Sequence, residues 1–149
     1  MNPFDLKAAL LAKHAQHVAL VHFPIALIFV GAAFDALSQR RQDVSLLRAA
    51  YFTTIAAAIA AIPTVVTGIV AWQWQFEGKH LRGNLKLHLF LALVSSALIG
   101  IVCGLHILQQ RKPLAIPPRI RLAVEAVAVA ITLLTAHVGG FLSGVNGPS

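Results

Sequence analysis

The sequence predicts an all-α protein, an up-and-down four-helix transmembrane bundle with a short N-terminal interfacial helix, and three observations carry that reading. First, 58% of the 149 residues are hydrophobic and 11% are charged, against about 25% charged in soluble domains. So few charges cannot cover the surface of a domain this size in water. Second, Asp, Glu, Lys and Arg are absent from four runs, residues 14–34, 49–76, 87–110 and 126–149. Third, each run is long enough for a hydrocarbon core about 30 Å thick, which takes about 20 residues at 1.5 Å per residue. The length suits one domain, so residues 1–149 form a single four-span unit.

Residues 1–17 set Phe4, Leu6, Leu10 and Leu11 beside Lys7, Lys13 and His14, which suits an amphipathic helix at the interface and not a signal peptide. The first span is expected over residues 17–37, followed by the polar loop SQRRQD at 38–43. Asp35 is then placed to pair with Arg40 or Arg41 at the helix end. The second span, residues 49–72, ends at Trp72 and Trp74, at headgroup level. Pro63 within it predicts a kink. The loop EGKHLRGN leads to a third span over 86–109. The loop QQRKPLAIPPRIR, with three prolines, leads to a fourth over 118–145. Short loops make consecutive spans antiparallel neighbours. No repeat strong enough to argue a duplication is evident.

The net charge of +7 does not signal nucleic acid, because the cations sit in short loops beside spans. The face holding both termini and the middle loop carries Lys7, Lys13, Lys79, Arg82 and Lys86. The other carries Arg40, Arg41, Arg48, Arg111, Lys112, Arg119 and Arg121. The positive-inside rule puts the seven-cation face in the cytoplasm, with both termini periplasmic and the bacterial inner membrane as the expected location. The single cysteine, Cys103, excludes an internal disulfide and a multi-cysteine metal site. With no Ser/His/Asp set, paired carboxylates or phosphate-binding loop, an electron-transfer subunit is a better expectation than a stand-alone enzyme.

The functional signal lies in seven histidines. In an antiparallel bundle His17, His22, His80, His88 and His137 gather at one end, and His106 lies at the other. An interfacial histidine can simply meet headgroups or water. His22, His88 and His137, however, begin to enter hydrocarbon, where an unpaired polar group costs several kcal/mol and polar residues usually face the interior. Convergent imidazoles suit haem iron or a transition metal. Without a CxxCH motif a haem would be b-type, held by an axial histidine pair as one haem or two. The alternative is a copper or zinc site of three or four histidines. Gly140 in the small-residue stripe Ala136–Gly140–Gly144 leaves room for a porphyrin beside His137, although such stripes also serve plain helix packing. Gly68 could serve likewise, and Arg82 and Lys86 are placed to meet haem propionates. By depth, His22 and His137 rank first as ligands, His88 next and His17 last. His106 and Glu125 read as a structural polar pair.

The segment HVALVHFPIAL at residues 17–27 resembles a widespread family of small bacterial membrane proteins, the domain-of-unknown-function family numbered 2231. The matching features are His22-Phe23-Pro24, Thr67-Gly68, His88 and His137-Val138-Gly139-Gly140, so the resemblance spans nearly the whole chain. Many relatives carry proline where this chain has Val18. The resemblance implies a fold and a histidine pattern, and some relatives look like b-type cytochromes. The expected function is a membrane-bound b-type cytochrome passing electrons between a periplasmic redox partner and the quinone pool or a larger membrane complex. The alternatives are a non-haem metal-binding membrane protein and a structural or assembly subunit.

Overall fold

The structure, a computed structural model, describes residues 15–75, 82–112 and 116–143. They form four helices: α1 (Ala15–Arg41), α2 (Val44–Gln75), α3 (Gly83–Arg111) and α4 (Pro118–Leu142). All four are long and apolar enough to cross a membrane. The interfacial helix expected over residues 1–17 lies almost wholly outside the described residues, as do His14, Lys79, His80 and Gly144.

Inside and outside are inverted relative to a soluble bundle. Phe23, Phe52 and Phe90 are 58%, 61% and 63% exposed, whereas Arg121, His106, Glu125 and Asp35 are among the largest fully buried side chains. Lipid tails are as apolar as leucine, so the outer surface needs no cover, while polar groups must find partners within. Ile28, Ala57, Ile99, Val102 and Ala128 form the central apolar layer.

The helices run further than the apolar stretches. The loop expected at 38–43 shrinks to Gln42 and Asp43, because Ser38 is buried inside the bundle and Arg40 and Arg41 suit the carbonyl end of α1. Gln42 makes the reversal with φ 52°. Asp43 then caps α2, accepting from the Ser45 backbone N–H at 2.8 Å and its hydroxyl at 2.6 Å. Those bonds, the hydroxyl's first, hold the Asp43 carboxyl below its ordinary value of 3.8. The stabilisation is therefore present above that value and lost as pH falls through the lowered one. Asp43→Ala should lower the melting temperature at neutral pH, and the gap from the parent should close towards pH 2. An equal gap at both pH values would contradict this capping role.

Pro24 lies inside α1. Lacking an N–H, it leaves the Leu20 carbonyl without its usual helical donor. The Thr64 hydroxyl of α2 reaches that carbonyl at 3.3 Å, so a neighbouring helix supplies the missing bond. α2 continues through Pro63 as one helix.

α1 packs against α2 and α3 against α4. The α2–α3 and α1–α4 contacts close the ring. Helices α1 and α2 approach closely at Gly31, where a Cβ would meet Thr54 Oγ1 at 3.1 Å. The two hairpins also correspond at a constant offset of 71 residues. His17, Leu20, Leu27, Ile28, Ala57, Thr64 and Gly68 match His88, Leu91, Leu98, Ile99, Ala128, Thr135 and Gly139 in identity. Asp35, Ala50 and Thr54 match His106, Arg121 and Glu125 in position, and both members of each of these pairs are buried. The absence of a repeat read from the sequence is thereby corrected. The identities are few among interchangeable apolar residues, and the offset emerges once equivalent buried positions are seen.

Candidate functional site

Among the described residues, inward-turned ionisable side chains form two layers, one in each half of the bundle. At the end where α1 and α3 begin, the Nδ1–H of His17 donates to the Thr64 carbonyl of α2 at 3.1 Å, with Thr67 Oγ1 at 3.4 Å. The Nδ1–H of His88 donates to the Thr135 carbonyl of α4 at 3.2 Å. A carbonyl only accepts, so each bond fixes the Nδ1–H tautomer. Each ring lies over a glycine of the facing helix. A Cβ at Gly68 would come within 2.9 Å of His17 Cε1, and one at Gly139 within 3.0 Å of His88 Cε1. The two sites are equivalent under the 71-residue offset, and both hydrogen bonds span 47 residues.

The missing side chains at Gly68 and Gly139 thus make room for the imidazoles themselves. Gly139→Ala should displace the His88 ring and break its bond to Thr135. Because the ring is the free end of a flexible side chain, unfolding should shift by only about 1 kcal/mol, the scale of one net hydrogen bond. Proton-coupled nitrogen NMR of a histidine-labelled sample reads the tautomer. An unchanged His88 Nδ1–H signal would refute the contact.

His22 and His137 are placed differently. His22 is exposed and donates from Nδ1 to the Val18 carbonyl of its own helix at 2.8 Å. His137 is exposed, with its ring edge-on to Phe141 at 5.1 Å between centroids. Within one chain neither ring turns into the interior, so the structure brings His17 and His88 into the interhelical layer in preference to the pair ranked first by depth. Gly140 follows Gly139 along α4, and Arg82 and Lys86 are exposed at the start of α3.

The second layer lies in the other half of the bundle. Arg121 Nε and Nη2 donate to Asp35 Oδ2 and Oδ1 at 2.6 and 2.7 Å, with both side chains almost wholly buried. This bidentate pair is the strongest geometry available to the two groups. Ser38 Oγ adds a bond to Asp35 Oδ1 at 3.2 Å. Asp35 therefore does not pair with Arg40 or Arg41, because the last turns of α1 stay packed against α4. Arg121, in turn, is not a loop cation, which narrows the charge bias between the two faces to six against five. His106 and Glu125 do pair, Nε2 to Oε1 at 2.6 Å and fully buried. Ligand atoms of Asp35, His106 and Glu125 lie within 4.8 Å of one another. Because Arg121 already holds both oxygens of Asp35, a metal there would have to displace a guanidinium.

The Asp35–Arg121 pair and the roles of Thr64 and Thr135 were missed from sequence. A signal for the pair existed: Arg121, Glu125, Ala128 and Thr132 recur at 4, 3 and 4 residues, one inward stripe of α4.

Residues 13–147 match the family described as "Predicted membrane protein (DUF2231)". No curated protein and no solved structure matches the chain significantly. The match covers nearly the whole chain, both histidine layers included, and the chain belongs to the DUF2231 family of predicted membrane proteins.

Proposed function

We propose that this membrane protein is a small b-type cytochrome, an electron-transfer subunit in which His17 and His88 would hold the haem iron. The observation that carries the reading is the pair of equivalent imidazoles, each anchored through Nδ1 to a carbonyl of the facing helix. Ligating histidines are commonly held this way, since the hydrogen bond from Nδ1 fixes the tautomer and ring orientation and leaves Nε2 for the metal. Haem would supply the one-electron chemistry. The chain would supply the ligands, their orientation and a low-dielectric interior. His22 and His137, on the outer surface, are not part of this ligand set. A visible spectrum of the purified protein, oxidised and dithionite-reduced, tests the reading. Sharp reduced b-type bands support it, and a colourless protein with stoichiometric copper or zinc replaces it with the metal-handling alternative.

One observation favours a second reading. The same hydrogen bonds join α1 to α2 and α3 to α4, as structural clamps would. A colourless protein without metal would leave the histidines in that role, in a structural or assembly subunit.

The proposed orientation, with both termini periplasmic and the α1–α2 turn cytoplasmic, rests on the modest loop-charge bias. Reporter fusions after Gln42 and Leu114 should read cytoplasmic and one after Gly78 periplasmic. A periplasmic signal at Leu114 would overturn it.

A further inference from the structure

We propose that Glu125 is a proton-binding site within the bundle, a neutral carboxylic acid at pH 7 that accepts from His106 through Oε1 and donates from Oε2 to the Asp35 carboxylate. With Arg121 these side chains form one cluster, and each of the four is 1% exposed or less. Ligand atoms of Asp35, His106 and Glu125 lie within 4.8 Å of one another. Asp35 comes from α1, His106 from α3, and Arg121 and Glu125 from α4. The buried α2 residues at this level, Ala50 and Thr54, carry no charge.

A charge count shows that the cluster needs one proton. With Asp35, Glu125 and Arg121 ionised and His106 neutral, one negative charge would stand uncompensated in the interior. An unpaired buried charge is far more costly than a paired one. A single proton cancels it and has two seats available. On His106 it makes an imidazolium–carboxylate pair. On Glu125 it makes an acid beside a neutral imidazole.

The hydrogen bonds favour Glu125. Its Oε1 meets His106 Nε2 at 2.6 Å, while its Oε2 is buried with no hydrogen-bond partner. A carboxylate only accepts, so an ionised Glu125 would strand a charged oxygen. Arg121, four residues earlier on the same inward stripe of α4, has a buried Nη1 that is also without a partner. An ionised Oε2 would be drawn to that spare N–H, yet the two do not bond. A neutral acid turns Oε2 into a donor that needs an acceptor, and Asp35 can supply one. Asp35 Oδ1 accepts from Arg121 Nη2, Ser38 and Gln39, whereas Oδ2 accepts from Arg121 Nε. Oδ2 therefore keeps a lone pair for a further donor, and an O–H bond to a carboxylate is among the strong ones. A proton completes the cluster without displacing the guanidinium, as a metal ion would have to.

Infrared spectroscopy of the full chain tests this, in a maltoside detergent that has no carbonyl of its own. The sequence holds two glutamates, Glu77 and Glu125. Carboxyl-13C glutamate in a Glu77→Gln background therefore reports Glu125 alone. At pH 7 the label should shift a protonated-carboxyl C=O band downward, and Glu125→Gln should abolish that band. Glutamine keeps an acceptor for His106 and an N–H for Asp35, so this variant should fold. If it does not, the labelled Glu77→Gln chain decides the matter without it. A label that moves only carboxylate bands would overturn the proposal, with the proton then on His106 or absent. Haem content enters neither result, so this site and the cytochrome reading stand or fall separately.

Discussion

Replacing Arg121 alone by methionine should destabilise the protein by about 3–5 kcal/mol, the cost of stranding one member of a buried ion pair. Asp35 is fully buried and takes both of its strongest bonds from Arg121. Without the guanidinium, the Ser38 hydroxyl at 3.2 Å and the Gln39 amide at 3.5 Å are too weak as partners for a carboxylate in hydrocarbon. The Asp35 side chain must then acquire a proton or drag water into the bundle. The double replacement Asp35→Leu with Arg121→Met removes both charges together and should recover most of the loss, since a well-packed apolar pair often equals or exceeds a buried salt bridge in stability. Thermal unfolding in detergent across the four-member cycle reads the coupling directly. A single methionine variant within about 1 kcal/mol of the parent would show that the pair is not structural, that figure being the typical worth of exposed pairs.

The second large effect concerns the imidazoles at the other end. If His17 and His88 ligate iron, His17→Ala and His88→Ala should each abolish the low-spin spectrum, and the double variant should bind no haem. His22→Ala and His137→Ala should leave both spectrum and stoichiometry unchanged, because those rings lie on the outer surface. The reverse pattern, haem lost only with His22 and His137, would move the site to the outside of the bundle and require a second chain to enclose it. His106→Ala supplies a control for stability. It strands Glu125 and should lower the melting temperature without changing haem content, and loss of half the haem would reveal a second iron at that layer.

The four spans and their order were legible because charge exclusion from hydrocarbon is a strong one-dimensional signal. The His106–Glu125 pair was legible for a related reason: two polar residues at matching depth on consecutive antiparallel spans must meet or remain unsatisfied. Rotation about each helix axis was much less legible. His22 and His137 were ranked by depth, which does not fix the direction a ring takes, and both rings are exposed on the surface of the chain. His17 seemed shallow because the first span was expected to begin there, whereas its ring turns inward to the Thr64 carbonyl of α2. The interior place of Pro24 was not legible either, because the Thr64 hydroxyl that meets the carbonyl it leaves free comes from another helix. Asp35 was assigned local partners because Arg40 and Arg41 are near in sequence, while its true partner is 86 residues away.

The 71-residue correspondence has a consequence for what one chain can hold that a pair of identical hairpins cannot. In a strict two-fold assembly every charge appears twice, so an arginine at the Ala50/Arg121 position would face its own copy across the axis. Here one hairpin carries small, neutral Ala50 and Thr54 where the other carries Arg121 and Glu125, and Asp35 stands where its counterpart is His106. The charged side chains therefore occur once each around a framework in which Gly68 and Gly139, and His17 and His88, remain doubled. Covalent joining of the halves lets one end of the bundle remain paired and alike while the other becomes polarised, with a distinct α1–α4 seam that α2–α3 does not reproduce.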